Sequence, residues 1–255
     1  MTTPAVQTIK RSGSRFYVHP ETNAKVPGVT SITGNLPKPF LQYWGQKLVA
    51  EEAVDSLGSI TQLMVQGKRE AAIDMLKRAP QRSTGDAARI GTDVHGLVEE
   101  LNRGEPLGNV HPDLQPWITQ YDKFLDDWQP EFLEVESTVW SETYGYAGTL
   151  DGICRIDGDL LIWDLKTGKG VYPEVGLQLS AYSHADYFLS PDGEQRPIPK
   201  VDFGSVLHLR PDKYELRPVR VDDDVFSVFK SLIHVTEWVQ EKHKTVLGAP
   251  LTKES

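Results

Sequence analysis

The dipeptide Asp157-Gly158 constrains this chain more than any other feature. It joins two apolar-rich runs, 149–156 and 159–167, and Asp-Gly between such runs signals a two-residue type I′ hairpin. With that turn, Ile156 faces Asp159 and Asp151 falls opposite Asp164, since both acids lie the same number of steps from it. Side chains paired across an antiparallel ladder stand roughly 4.5–5.5 Å apart at Cβ. Lys166 lies two residues beyond Asp164 and takes the same face.

Two carboxylates and an ammonium are thereby brought together on strands otherwise rich in Leu, Ile and Trp. Adjacent carboxylates repel unless one is protonated or a cation lies between them. Mg²⁺ is a natural neutraliser because it takes oxygen ligands and retains waters. The plain alternative is a surface hairpin with ordinary charges, and the Asp…Asp-x-Lys pattern alone leaves both readings open.

The 255 residues suffice for one large domain, or one domain with a helical extension. A hydrophobic content of 39% with 25% charged residues is that of an ordinary soluble chain, and no apolar run reaches membrane-span length. The N-terminal MTTPAVQTIKRSGS lacks the apolar core of a secretory signal. Cys154 stands alone, which excludes an internal disulfide and suits a reducing cytoplasm. The net charge of −9 is unevenly spread. Residues 1–92 carry 12 Lys and Arg against 7 Asp and Glu, and residues 93–255 carry 15 against 29. A mildly basic front beside an acidic, cation-binding remainder is compatible with a nucleic-acid partner.

Along the chain, residues 15–33 read as short strands around Pro20-Glu21-Thr22-Asn23, with His19 a turn residue. A helix over 37–57 places Leu41, Trp44 and Leu48 on one buried face. A second helical region over 60–78 breaks near Gly67 and carries Lys68, Arg69, Lys77 and Arg78. Ser83 or Thr84 caps a helix to about Asn102, on which His95 and Glu99 share a face. An amphipathic helix follows over 112–128. Residues 132–140 alternate as a strand, with Leu133, Val135, Ser137 and Val139 on one face and Glu134 and Glu136 on the other. After the central hairpin, Pro173 opens a helix to about Phe188 on which Gln178 and Tyr182 face the same way. A second hairpin spans 204–221. Asp222–Asp224 then cap a last helix to about His243, with Val225, Phe229, Leu232 and Trp238 inward; the tail 247–255 reads as loose.

Four motifs, GTDVHGLVEE on the helix, GTLDG, DLKTG and QLSAY, occur in that order between Gly91 and Tyr182. In this the chain resembles the PD-(D/E)xK nuclease superfamily, and within it the RecB-type exonucleases that include phage-encoded relatives of the CRISPR-associated exonuclease. PGVTSI and the Trp-containing helix after it also resemble the phage members. The resemblance implies a mixed α/β fold with a restriction-endonuclease-like αβββαβ core, its mixed sheet flanked by helices, over residues 83–255. Residues 1–82 then form an N-terminal strand and helical region facing DNA. It implies His95, Asp151, Asp164 and the backbone carbonyl of Leu165 as metal ligands. Lys166 would position the attacking water, making Asp151, Asp164 and Lys166 the catalytic set, and Gln178 and Tyr182 would line the cleft and hold the DNA strand. Glu136 occupies the place of a strand glutamate found in relatives, with Glu134 its rival.

Two departures stand out. Leu150, not proline, precedes Asp151. The CRISPR-associated enzymes hold an iron–sulfur cluster on four cysteines, which a chain with one cysteine cannot provide. No phosphate-binding GxxxxGK[ST] loop is present. The expectation is therefore a Mg²⁺- or Mn²⁺-dependent DNA exonuclease in phage recombination, replication or repair, acting on single strands or duplex ends, without a membrane partner. Ring-forming relatives raise the question of self-association. The alternatives are a catalytically silent protein of the same fold that binds DNA ends or a host repair complex, or a structural phage component with an incidental acidic hairpin.

Overall fold

In a computed structural model of the chain, residues 6–11 and 13–251 are described, and two compact units are formed. One comprises Met1–Leu36 with Val94–Ser255; the other is Pro37–Asp93.

The larger unit is built on a seven-stranded mixed sheet. Its strands are β4 (Glu131–Ser141), β5 (Tyr146–Ile156), β6 (Asp159–Lys166), β7 (Tyr187–Leu189), β8 (Gln195–Arg196), β9 (Phe203–Leu209) and β10 (Tyr214–Val219), in the order β10-β9-β6-β5-β4-β7-β8. The central hairpin takes the expected register, Ile156↔Asp159 through Gly152↔Trp163. Asp157 and Gly158 both have positive φ, 50° and 94°, as a type I′ turn requires. β6 pairs with β9 in parallel, Lys166 beside His208. A parallel neighbour needs a crossover, and this one carries α7 (Glu174–Ser183). α7 packs with α1 (Val29–Thr33) and α8 (Asp223–Gln240). Val29, Ile32, Leu150, Ile153, Ile162, Leu179, Val206 and Phe229 form the core there. Asp222 caps α8 by accepting from Val225 N at 3.1 Å.

A small three-stranded sheet, β1 (Thr8–Arg11), β2 (Ser14–Val18) and β3 (Lys25–Pro27), belongs to the same unit. Gly28 bridges to Ala147, and α1 buries Val29 and Ile32 in the main core. Val29 and Ile32 thus tie this N-terminal stretch to the core, and in place of a boundary between 82 and 83 the compact units divide at Pro37–Asp93. That unit holds α2 (Pro39–Asp55), α3 (Leu57–Val65), α4 (Arg69–Lys77) and the first part of α5 (Ala79–Asn102). Gly67, with φ of 70°, breaks α3 from α4 where the sequence placed the break.

Other boundaries moved. The helix over 37–57 forms as α2 but buries no residue; Leu41 is 45% exposed, because small, separate helices give it little to cover. α5 starts before Ser83, and Thr84 Oγ1 bonds back to the Pro80 and Gln81 carbonyls instead of capping. The helix from Pro173 ends at Ser183, since residues 187–189 pair with β4 as β7. In α8 the inward residues are Phe226, Phe229, Leu232 and Ile233, with Trp238 49% exposed. No helix among the described residues is long and apolar enough to cross a membrane.

Candidate metal centre and active site

Asp151 sits where the strands of the hairpin part. The β5–β6 ladder closes at Gly152↔Trp163, and the Asp151 carboxylate takes over as acceptor for the next amide, Leu165 N at 2.6 Å. Two glycines make this possible. A Cβ on Gly148 would stand 2.5 Å from the Tyr182 ring, and one on Gly152 would stand 2.6 Å from the Glu134 carbonyl oxygen and collide with the Trp163 indole. The motif GTLDG is thus a packing requirement on both sides of the acid.

α5 brings His95 to this point, its Nδ1 3.7 Å from Asp151 Oδ2. β4 brings Glu136. Strict alternation along β4 is broken twice: the register against β5 shifts between Phe132 and Glu134, and Glu136 itself has φ of 51°. The two glutamates expected on one face therefore separate. Glu134 is locked in a two-pronged pair with Arg196 (2.7 and 3.1 Å) and accepts from Ser137 Oγ, whereas Glu136 joins His95 and Asp151. One ligand atom from each of His95, Glu136 and Asp151 lies within 4.8 Å of the others.

Burial and neighbouring negative charge together set the electrostatics of the cluster. Burial first, then repulsion from Asp151 and Glu99, pushes the Glu136 carboxyl up to about 8, with Arg103 opposing. Glu99 is buried and pairs with Arg103 at 2.5 Å. One imidazole nitrogen and two carboxylate oxygens suit a divalent cation such as Mg²⁺ or Mn²⁺, and a cation would offset the burial cost and the repulsion that together raise the Glu136 carboxyl.

Asp164 and Lys166 lie in a neighbouring group that faces α7. Asp164 is 2% exposed; its Oδ2 pairs with Lys166 Nζ and its Oδ1 accepts from Gln178 Nε2 at 2.8 Å. Gln178 Nε2 also reaches Tyr182 Oη at 3.2 Å, and Gln178 Oε1 lies 3.4 Å from Lys166 Nζ. Burial and then Asp151 raise the Asp164 carboxyl, against the pull of Lys166. Burial would lower the Lys166 ammonium, but Asp164 and Asp151 outweigh it and hold it above the ordinary lysine range.

The two aspartates, expected face to face as joint ligands, are electrostatic neighbours, since Asp151 is felt at Asp164, but their contacts differ: Asp151 lies beside His95 on α5, and Asp164 bonds Gln178 on α7. Leu150 and Ile153, on either side of Asp151, both enter the core cluster. Leu165 lines the cleft beside His95 and Glu136, its own amide bound to Asp151. Gln178 bonds Asp164 and also donates to Tyr182, which is 2% exposed and so braces the site from inside the fold. The pair Glu99–Arg103 was not singled out as a unit in the sequence, although the spacing His95, Glu99, Arg103 at four-residue steps puts all three on one helix face.

Neither a scan against protein-family models nor a search of curated proteins returns a match. Among solved structures the chain is similar to the crystal structure of SSO0001, with 17% sequence identity and a TM-score of 0.32. That match covers 51% of this chain and 59% of the other.

Proposed function

We propose that this chain is a divalent-metal-dependent deoxyribonuclease of the PD-(D/E)xK type, hydrolysing phosphodiester bonds from DNA ends. The single observation that carries the reading is the convergence of His95, Glu136 and Asp151 from a helix and two strands, with the Asp164–Lys166 pair one strand away. Structural acids on a surface hairpin give no reason for an imidazole and a positive-φ glutamate to converge on them.

In this reading His95, Glu136 and Asp151 hold Mg²⁺ or Mn²⁺. Such an ion supplies Lewis acidity that makes water nucleophilic near neutral pH and offsets charge developing at phosphorus. Asp151 has a second task, fixing the Leu165 amide and with it the end of β6. Lys166 stays charged because two aspartates surround it, so it serves as a fixed hydrogen-bond donor and counter-charge to the phosphate oxygens. Asp164 holds that ammonium in place, and Gln178 holds Asp164.

The test is digestion of 5′- and 3′-labelled single- and double-stranded DNA with Mg²⁺, Mn²⁺ or EDTA, alongside a covalently closed circle. Nucleotide release that needs the metal and a free end supports the reading. Intact linear DNA in every metal condition rejects it.

A further inference from the structure

The cleft that joins α5 to the sheet at His95, Glu136 and Asp151 has a free volume of about 10 Å³, enough for one water or one cation and far too small for a nucleotide. A substrate must therefore meet the cluster from outside. Val135 and Glu136 form a wall shared by this cleft and a second, open groove of about 220 Å³. The groove exists because β7 pairs with β4 only at Val139 and Trp140, leaving the stretch 135–138 without a strand on that edge among the described residues.

Two guanidiniums line the groove, Arg103 just past the end of α5 and Arg196 from β8. Each is anchored by a carboxylate: Arg103 by the buried Glu99, Arg196 by both oxygens of Glu134, with Arg196 also lying 5.4 Å from the Phe188 ring centroid. Both side chains remain nearly half exposed, at 42% and 49%. A guanidinium has five N–H donors in a planar fork, so a carboxylate that takes one or two leaves others for a second anion. Anchoring also removes much of the ordering cost of gripping a ligand.

We propose that this groove carries the phosphate backbone of a single polynucleotide strand, with Arg103 and Arg196 binding phosphates adjacent to the one presented at Glu136. The inference rests on the nuclease reading and names how the substrate approaches. Paired, fixed guanidiniums beside a cluster able to hold a cation match a chain of phosphodiesters, where a peptide backbone offers no anion to the N–H donors that Glu99 and Glu134 leave free.

The experiment uses the full chain and a fluorescent twelve-residue oligothymidylate, with binding followed by anisotropy in EDTA over a salt series. Arginine and its anchor are neutralised together, Glu134→Gln with Arg196→Gln and Glu99→Gln with Arg103→Gln, so that no buried acid is stranded; circular dichroism checks each fold. Each pair should weaken binding about 5–10-fold and flatten the dependence of log Kd on log salt by about 0.7 per lost phosphate contact. With Mn²⁺, the loss of turnover should be at least about fivefold larger on the oligonucleotide than on bis(4-nitrophenyl) phosphate, which is too short to span the groove. Unchanged affinity and salt slope in both folded variants would overturn the proposal, as would a wild-type chain that binds no oligonucleotide. Arginine-dependent binding by a wild-type chain that hydrolyses neither substrate would sink the nuclease reading and leave the groove assignment standing.

Discussion

Replacing Glu136 with glutamine tests the electrostatics of the cluster directly. The carboxyl is moved from 4.5 to about 8 by burial and by Asp151 and Glu99. A raised carboxyl pKa means the folded chain binds more protons than the unfolded chain between these values, so stability falls as pH rises through that window. The full displacement corresponds to about 5 kcal/mol at most, and solvent reaching the half-buried side chain reduces it to roughly 2–3 kcal/mol. For a chain of this size that is a rise in Tm of roughly 5–10 °C for Glu136→Gln over the metal-free wild type at pH 8.5. At pH 4, where the glutamate is protonated in both states, the two should melt together. Added Mn²⁺ should reverse the order at pH 8.5: wild type gains stability by binding the ion, and the variant, with one anionic ligand fewer, gains less. Thermal melts at several pH values, with and without Mn²⁺, measure all of this. Identical melting of the two chains at every pH, with equal Mn²⁺ shifts, would refute the reasoning and remove Glu136 from the site.

Asp151→Asn and Lys166→Ala should each lower metal-dependent DNA cleavage by at least about 100-fold with the fold retained; full activity in either variant on labelled DNA would reject its assigned role. Gln178→Ala should cost about 1–2 kcal/mol in denaturant unfolding, since it strands the inner oxygen of Asp164, and should lower kcat more than it raises KM. Gly152→Ala should destabilise by about 2–3 kcal/mol, because the Glu134 carbonyl in its way is backbone and cannot swing aside; Gly158→Ala should cost less, its positive φ being the only obstacle.

The hairpin was readable because Asp-Gly fixes both turn type and register, and the observed pairs follow it residue for residue. His95 near Asp151 was anticipated only through the resemblance of the helix motif to the nuclease superfamily. What alternation could not convey was its own failure. The shift near Leu133, the positive φ of Glu136 and the parting of the strands at Asp151 together decide which acids meet. A rule of period two paired Asp151 with Asp164, which do stay electrostatic neighbours, and Glu134 with Glu136, which separate. α2 misled for another reason: a spacing of Leu41, Trp44 and Leu48 describes a stripe, but a stripe is buried only where something large lies against it. β7 was hidden inside an apolar continuation of α7, because a three-residue strand has too few positions to show a period and forms only where β4 offers a free edge.

The reverse turn at Asp157 and Gly158 is exposed, and Asp157 lies six residues from Asp151 along one strand, roughly 20 Å at strand rise. The far side of β6 is held independently by β9. A peptide tag, a fluorophore attachment point or new chain termini could thus be inserted at this tip while the other end of the same two strands, where Asp151 and Asp164 lie, keeps its shape, giving experimenters a handle on the hairpin away from its acids.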